Sequence, residues 1–372
     1  MKDQPLHIGI QQRVLPAYRI PFFDQLAQQY LGKVSVFYGL PRKGEMLETN
    51  TVPQIALHTR GRNIHLFSEL FYLCLQIGLI SWLQSWQPDV LIMEANPRYL
   101  NSHRAIRWMK THHRKVIGWG LGSSNVNGSL GEFRMKQRRK FILQFDALIA
   151  YSKQGAEEYQ KLGYPAKRIF IAPNAAAARP VDPPPKRSLH YELNRPQILF
   201  VGRLQERKRV DMLIEACAKL PGELLPILHI VGDGPARTAL EELAKEKFPE
   251  TKFYGAMHGK ELAALFQKAD LFVLPGTGGL AVQEAMSYAL PIIVGEADGT
   301  QNDLVRAENG WILDQGNAQE LAEKMAEALG NISALRKKGS ASFTIVHDEV
   351  NVEAMLQAFT KAIDTVLKGS EK

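Results

Sequence analysis

Short, largely apolar runs recur along the chain, each closed by a glycine or a polar turn and followed by residues at helical spacing. Leu6–Ile10, Asp89–Met93, Val116–Gly120, Gln197–Val201, Ile227–Val231 and Leu271–Leu274 are of this kind. Runs without strict alternation belong to strands buried on both faces, as in a parallel sheet covered by helices. Their alternation with helical segments predicts an α/β protein. The stretch His65–Leu83 is the longest apolar segment. Ser68, Glu69 and Gln76 interrupt it and leave it short of a membrane span, so it predicts a buried helix of the first half. Met355, Phe359, Ile363 and Val366 are spaced for a terminal helix over about 351–367.

Between the halves, Ala175–Ala178 leads into Pro180 and Pro183-Pro184-Pro185. Proline at this density continues neither a helix nor a central strand, so the segment reads as an exposed connection. The division is then 1–175, a linker over 176–196, a second domain over 197–350, and a final helix over 351–372. At 372 residues, two domains of ordinary size can each bury a core.

The second half holds the most informative turn. Leu271–Leu274 passes into Pro275-Gly276-Thr277-Gly278-Gly279, a helical pattern begins at Leu280, and Pro291 ends it. A strand, a glycine turn and a helix N-terminus make an anion site, because the first-turn N–H groups lack intrahelical partners and the dipole favours negative charge. Glu284, one turn into the helix, is placed to accept hydrogen bonds from sugar hydroxyls. A parallel unit, Gln197–Val201, Gly202 and Arg203, brings Arg203 to a strand's C-terminal end and Lys208 to the loop beyond. That edge is where doubly wound folds bind ligands. A third unit runs through Ile227–Val231 and Gly232-Asp233-Gly234-Pro235.

These strings, with Phe253-Tyr254-Gly255, Ala269–Pro275, Glu284-Ala285-Met286 and Asn309-Gly310, resemble the retaining GT-B glycosyltransferases of family 4, the group 1 type. The resemblance is ordered over about 146–315, from Asp146–Ser152 and Ile171–Asn174 onward. It implies a GT-B fold, two Rossmann-like domains facing across a cleft, with the last helix returning to the first domain. It implies transfer of a sugar from a nucleotide-sugar donor to a glycan or lipid-linked acceptor in cell-surface glycan synthesis. Arg203 and Lys208 match the family's catalytic basic pair at the departing diphosphate. Gly202, Tyr254, Gly278, Gly279, Leu280 and Glu284 match its nucleotide and phosphate contacts, Glu284 holding the ribose. Gly276 and Thr277 fall in the donor-sugar pocket. There the family commonly has a glutamate eight residues before Glu284, and Gly276 stands in its place, so that pocket differs. The histidine that the family often carries after a first-domain strand is absent from Val116–Gly122. No metal and no cofactor beyond the donor are expected, and no Asp-x-Asp pair or His/Cys cluster at ligand spacing suggests one.

In the first half, Arg19 follows the first strand, and Glu94 and Asn96 follow another; with Trp119 they are candidate acceptor residues. Arg19 either meets an anionic group or anchors its loop through an ion pair. Asn125 and Asn127 are weaker candidates.

Charge changes the picture in one respect. Through residue 200 there are 27 basic and 13 acidic residues, and 19 against 25 beyond. The excess concentrates at Arg104–Lys115 and Arg134–Lys140. Such a surface either attracts an anionic membrane or phosphorylated acceptor, or is a solvated face. Nucleic acid ranks below both, since no binding motif accompanies the charge. Two cysteines, Cys74 and Cys217, give no disulfide framework, and no leader precedes the first strand, so the expected place is the cytoplasm, peripheral at the inner face of the plasma membrane. A GT-B epimerase would need acid–base groups at the sugar that the chain does not display. A non-catalytic nucleotide-sugar-binding protein is the reading favoured by Gly276 and opposed by Arg203, Lys208 and Glu284.

Overall fold

Two sheets, each built only of parallel strands, organise the chain into two units in this computed structural model. Residues 5–42, 45, 47–67, 72–122, 131–295 and 300–368 are described; Asn125 and Asn127 lie outside them. The first unit comprises residues 1–176 and 354–372, the second 177–353.

The first unit runs β1 (Ile8–Val14), α1 (Ile20–Gln29), β2 (Val34–Gly39), β3 (Leu57–Arg60), β4 (Arg62–Leu66), β5 (Leu73–Ile77), α2 (Leu79–Trp86) and β6 (Val90–Glu94). It continues through α3 (Ser102–Thr111), β7 (Lys115–Gly120), α4 (Gly131–Ile142), β8 (Ala147–Ala150), α5 (Lys153–Lys161) and β9 (Ile169–Ile171). Seven strands form one sheet in the order β3-β2-β1-β6-β7-β8-β9.

The segment expected to be one buried helix is instead a hairpin followed by a short helix. β4 and β5 pair antiparallel, Arg62 opposite Ile77 and His65 opposite Cys74, and Gly78 at φ 95° starts α2. The cause lies in the polar residues. Gln76 is buried because its amide bonds Gln11 of β1 and donates to the carbonyl of Gln12 at 3.1 Å and to Asn63 Oδ1 at 3.0 Å. A helix would have turned that amide away from the strand edge it satisfies. Cys74 is accordingly on a strand; both cysteines are buried and unbridged.

The second unit runs β10 (Gln197–Val201), α6 (Val210–Ala218), β11 (Ile227–Val231), α7 (Arg237–Lys247), β12 (Thr251–Phe253), α8 (Gly259–Lys268), β13 (Leu271–Leu274) and α9 (Leu280–Ser287). Then follow β14 (Ile292–Gly295), α10 (Thr300–Leu304), β15 (Gly310–Leu313), α11 (Ala318–Leu329) and α12 (Ile332–Asp348). Its sheet order is β12-β11-β10-β13-β14-β15. Every residue of β11, β13 and β14 is buried, which explains their unbroken apolar runs.

Between the last strand of the first sheet and the first of the second, residues 172–196 form no regular element except one helical turn at Glu192–Asn194. Arg187 fastens the end of this stretch by donating to the carbonyls of Phe266, Gln267, Ala269 and Tyr288, which close α8 and α9. The last helix, α13 (Val352–Lys368), lays Phe359 against Phe22 and Trp119 of the first unit, with ring centroids 4.8 and 4.9 Å away. Among the described residues, no helix is long and apolar enough to cross a membrane.

One buried polar group links this core to pH. His229, on β11, has Nε2 3.1 Å from Gln197 Oε1 and Nδ1 2.7 Å from the Tyr254 hydroxyl. The neutral tautomer that donates from Nε2 and accepts at Nδ1 satisfies both. Burial, aided by Lys252 and Lys268, pulls the imidazole down to about 4 from 6.5. The unfolded chain takes up this proton near the upper value and the folded one only near the lower. Stability is therefore lost as pH falls through that window, by up to about 1.4 kcal/mol per pH unit. Urea midpoints measured across this range should show that slope in the wild type and a flatter one in His229→Gln. Equal slopes would mean that another group carries the linkage.

Candidate active site

The glycine turn and the basic loop meet at the C-terminal edge of two adjacent strands. β10 and β13 are neighbours in the sheet, yet from β10 the chain adds strands in one direction and from β13 in the other. At such a reversal the following loops diverge to opposite faces and leave a crevice, the place where doubly wound sheets bind ligands. Gly202, Arg203 and Lys208 follow β10; Gly276, Thr277, Gly278, Gly279 and Leu280 follow β13.

Both loops are locked in place by backbone hydrogen bonds. The N–H of Gly202 donates to Val231 O at 3.0 Å and that of Leu204 to Asp233 O at 2.9 Å, which fixes the half-buried Arg203 between them. The glycines at 232 and 234 have φ of 139° and 158°, and a Cβ on Gly232 would strike the backbone of Gly202. Glycine is required there for two loops to touch. Arg207 and Lys208 lie in a helical turn that ends at Arg209, left-handed at φ 52°.

That turn clasps the glycine loop. The Thr277 N–H donates to Arg207 O at 3.1 Å, Arg207 Nη1 donates to Thr277 Oγ1 at 2.7 Å, and Lys208 Nζ donates to the Thr277 carbonyl. A Cβ on Gly276 would lie 2.7 Å from Lys208 Cα and closer still to Arg207 O. Gly276 is thus the residue that lets the two loops pack backbone to backbone. The other side of the turn is held by Gln301 of α10, fully buried, whose Nε2 donates to Gly278 O at 2.8 Å. Arg207 and Gln301 were not singled out in the sequence. The partners of both, Thr277 and Gly278, are distant in the chain, so no local pattern marks either residue.

Gly279 caps α9, and Glu284 stands on the second turn with its side chain exposed at the surface. Crowding by neighbouring groups nevertheless raises its carboxyl above the usual range, opposed by the charge of His258. Tyr254, at the end of β12, is about one-third exposed; its hydroxyl is engaged with His229 and turned toward the sheet.

The first unit repeats the arrangement. Its sheet order reverses between β1 and β6, and Arg19 follows one of these strands while Glu94 ends the other. Glu94 accepts from the Arg13 N–H at 2.9 Å. Burial pushes its carboxyl up, against the Arg13 N–H, the Tyr99 hydroxyl and the charges of Arg13 and Arg19. Arg19 is buried, with its guanidinium 4.6 Å from the centre of the Trp119 ring and 5.5 Å from that of Tyr151, and it donates to Asn174 Oδ1 and to Met355 Sδ. These contacts hold Arg19 in an aromatic box and against α13. Trp119 is buried among Phe22, Tyr151 and Phe359. Asn96 Oδ1 accepts from the Arg98 N–H at 3.1 Å and so shapes its own turn.

The family described as Glycosyl transferases group 1 matches residues 185–341. The putative colanic acid biosynthesis glycosyltransferase WcaL of Escherichia coli strain K12 is 27% identical over 195 residues, 49% of this chain and 47% of that protein. The chain therefore spans about half the length of that relative. The lipopolysaccharide core biosynthesis glycosyltransferase LpsE of Rhizobium meliloti is 22% identical over 309 residues, 77% of this chain and 90% of that one. Among solved structures, Anabaena Alr3699/HepE in complex with UDP superposes with a TM-score of 0.71 at 16% identity, over 97% of this chain and 100% of that one. The fold shared at this low identity is GT-B.

The clasp gives a structural prediction. Gly276→Ala forces the 207–208 backbone away and should cost about 1–3 kcal/mol, a fall of several degrees in thermal midpoint. Gly279→Ala is the control, because its Cβ would meet only ordinary contacts at 3.5 Å from Leu304 and 3.7 Å from Thr300. Equal midpoints for the two variants would show that Gly276 is not a packing glycine.

Proposed function

We propose, from the match of residues 185–341 to the group 1 glycosyltransferases, that the chain transfers a hexose from a nucleoside-diphosphate donor to a hydroxyl of a glycan or lipid-linked acceptor, with retention and without a metal. The observation that carries this reading is the Lys208 ammonium held on the Thr277 carbonyl inside a glycine turn at the strand-order reversal. An ammonium has three protons, so it can keep that carbonyl and still donate to phosphate oxygens.

Departure of the diphosphate builds negative charge while the sugar becomes oxocarbenium-like, and fixed positive charge at the leaving group lowers that barrier. Lys208 supplies a compact charge and Arg203 a planar fork for phosphate oxygens. The N–H groups at the start of α9, beside Gly278, Gly279 and Leu280, add to it. Glu284 accepts the ribose hydroxyls, with Gly202 and Tyr254 bordering the nucleotide. In the retaining step the bond from the anomeric carbon to the diphosphate oxygen breaks. The acceptor oxygen bonds to the same face, and its proton passes to the departing phosphate, so no protein nucleophile is needed. Gly276 places no carboxylate at the donor sugar, which leaves Thr277 and backbone groups for that contact. Glu94, at the end of β6 in the first unit, is our candidate for contact with an acceptor hydroxyl. LpsE and WcaL, named for lipopolysaccharide core and colanic acid synthesis, support cell-surface glycan as the product class, made on the cytoplasmic side.

Arg203→Ala and Lys208→Ala should each lower turnover by on the order of a hundredfold or more while leaving the thermal midpoint close to wild type. The substrate is found first by screening nucleotide sugars for protection against unfolding, which reaches about 2.7 kcal/mol at a hundred times Kd. Near-normal turnover in both variants, on whichever donor protects, would remove the assignment.

Glu284 gives a separate test through pH. Because its carboxyl is raised and must be ionised to accept two hydroxyls, affinity for a free nucleoside diphosphate should weaken as pH falls through that raised value. Glu284→Gln should bind more weakly at neutral pH and lose this dependence. Calorimetric titrations with unchanged affinity in the variant would take Glu284 out of the nucleotide site.

A further inference from the structure

Gln301 approaches the glycine turn from the side opposite the basic loop. It lies on α10, which follows β14, and β14 borders β13 on the side away from β10. Its side chain is fully buried, and Nε2 donates to Gly278 O at 2.8 Å. Only the nitrogen end of an amide can donate to a carbonyl, so Oε1 is turned elsewhere. Oε1 is buried too, and among the described residues it has no hydrogen-bond partner. A buried acceptor without a partner costs stability. At one atom, then, Gln301 serves the fold poorly, and at the other it fixes a single carbonyl.

That carbonyl controls the next N–H. In a trans peptide the C=O and N–H bonds point in opposite directions. With Gly278 O drawn toward α10, the Gly279 N–H points away from it, to the β10 side where Arg203 and Lys208 stand. Gly279 caps α9: its carbonyl accepts the Gln283 N–H at 3.0 Å, and its own N–H precedes the first intrahelical acceptor. Nothing in the two flanking residues holds this peptide in one sense. Turning it over would carry Gly279 from φ −136° to positive values, which glycine adopts without steric cost. On the preceding peptide Lys208 holds the Thr277 carbonyl. Two consecutive carbonyls of the turn are therefore held by side chains, one from each neighbouring loop.

We propose that Gln301 is a positioning residue, which keeps the Gly279 N–H aimed at the donor's diphosphate by holding the Gly278 carbonyl. The inference rests on the proposed use of a nucleoside-diphosphate donor and adds a residue that acts on it through the backbone. UDP, GDP and ADP are titrated calorimetrically into wild type, Gln301→Met and Gln301→Glu. The Gly279 amide is followed by NMR in protein carrying isotope-labelled glycine, its resonance assigned by its loss in Gly279→Ala. Wild type should bind at least one of the three, with a downfield shift of the Gly279 amide. Methionine is close in volume and removes the unsatisfied Oε1, so the thermal midpoint should stay near wild type. Affinity should nevertheless fall about ten- to a hundredfold, the range for one hydrogen bond to a charged group, and the Gly279 amide should no longer respond. In Gln301→Glu a carboxylate accepts where Nε2 donates, so the peptide turns over and the Gly279 N–H bonds to it. Affinity should fall at least as far, with the Gly279 amide displaced before any nucleotide is added; this variant decides alone if Gln301→Met does not fold. Wild-type affinity in both variants would overturn the role of Gln301 and leave the transfer reaction standing. So would a loss of affinity in which the Gly279 amide still responds as in wild type, the mark of a turn that is only loosened. Wild type binding none of the three diphosphates would overturn the nucleotide reading and this proposal with it.

Discussion

The reversal of strand order between β10 and β13 is the constraint on which the second unit depends. Right-handed crossovers send the helices that follow these strands to opposite faces: α6 packs with α7 and α11, and α9 with α12. The two loops nevertheless have to start side by side, because their strands are hydrogen-bonded neighbours. Contact at that point leaves no room for a side chain between the backbones, and this is why glycine stands at 276 and why the Thr277 N–H finds its partner in Arg207. The clasp also fixes Lys208. An ammonium on a flexible stem loses much freedom when it is held, and here the Thr277 carbonyl holds it.

The first unit solves the same problem with different chemistry. Its reversal between β1 and β6 gathers Gln11, Arg13 and Glu94, and the polar groups are satisfied across elements: Gln11 accepts the Glu94 N–H at 3.1 Å and its amide bonds Gln76 of the hairpin. Arg19 is buried here, whereas Arg203 and Lys208 of the second unit are half-buried. Arg19 is tolerated because aromatic faces, an amide oxygen and a thioether surround it, and because one of those groups belongs to α13. A cation in that box ties the chain's last helix to its first loop, so removing Arg19 would loosen packing as well as delete a charge.

The parallel sheets were legible because burial on both faces leaves unbroken apolar runs, and Ile227–Val231 and Leu271–Leu274 have that form from end to end. The glycine turn and its helix were legible for a related reason: backbone geometry restricts which residues can occupy a tight turn and a helix start. The β4–β5 hairpin was not. Its apolar content is shared by helices, and the residue that decides, Gln76, acts through a partner 65 positions away. Gln301 and Arg207 were hidden in the same way, since their partners lie 23 and 70 positions distant. Gly276 was visible as a departure from a resemblance, but its cause is a backbone contact that no one-dimensional pattern carries.

That contact bears on what the missing carboxylate means. A glutamate eight residues before Glu284 must fit its Cβ between residue 276 and the neighbouring loop, and in this fold the 207–208 backbone occupies that space. Substitution to glycine is therefore coupled to the position of the basic turn. The closer approach brings Lys208 onto the Thr277 carbonyl, which a wider spacing would forfeit. A site that had merely decayed would have no reason to keep Arg207 bonded to Thr277 and Gln301 bonded to the Gly278 carbonyl around that position. Under the proposed reaction, recognition of the donor sugar passes from one ionised side chain to N–H and hydroxyl groups of the turn. Neutral donors and acceptors of this kind discriminate by geometry more than by charge, so the pocket's selectivity rests on the rigidity of the clasp.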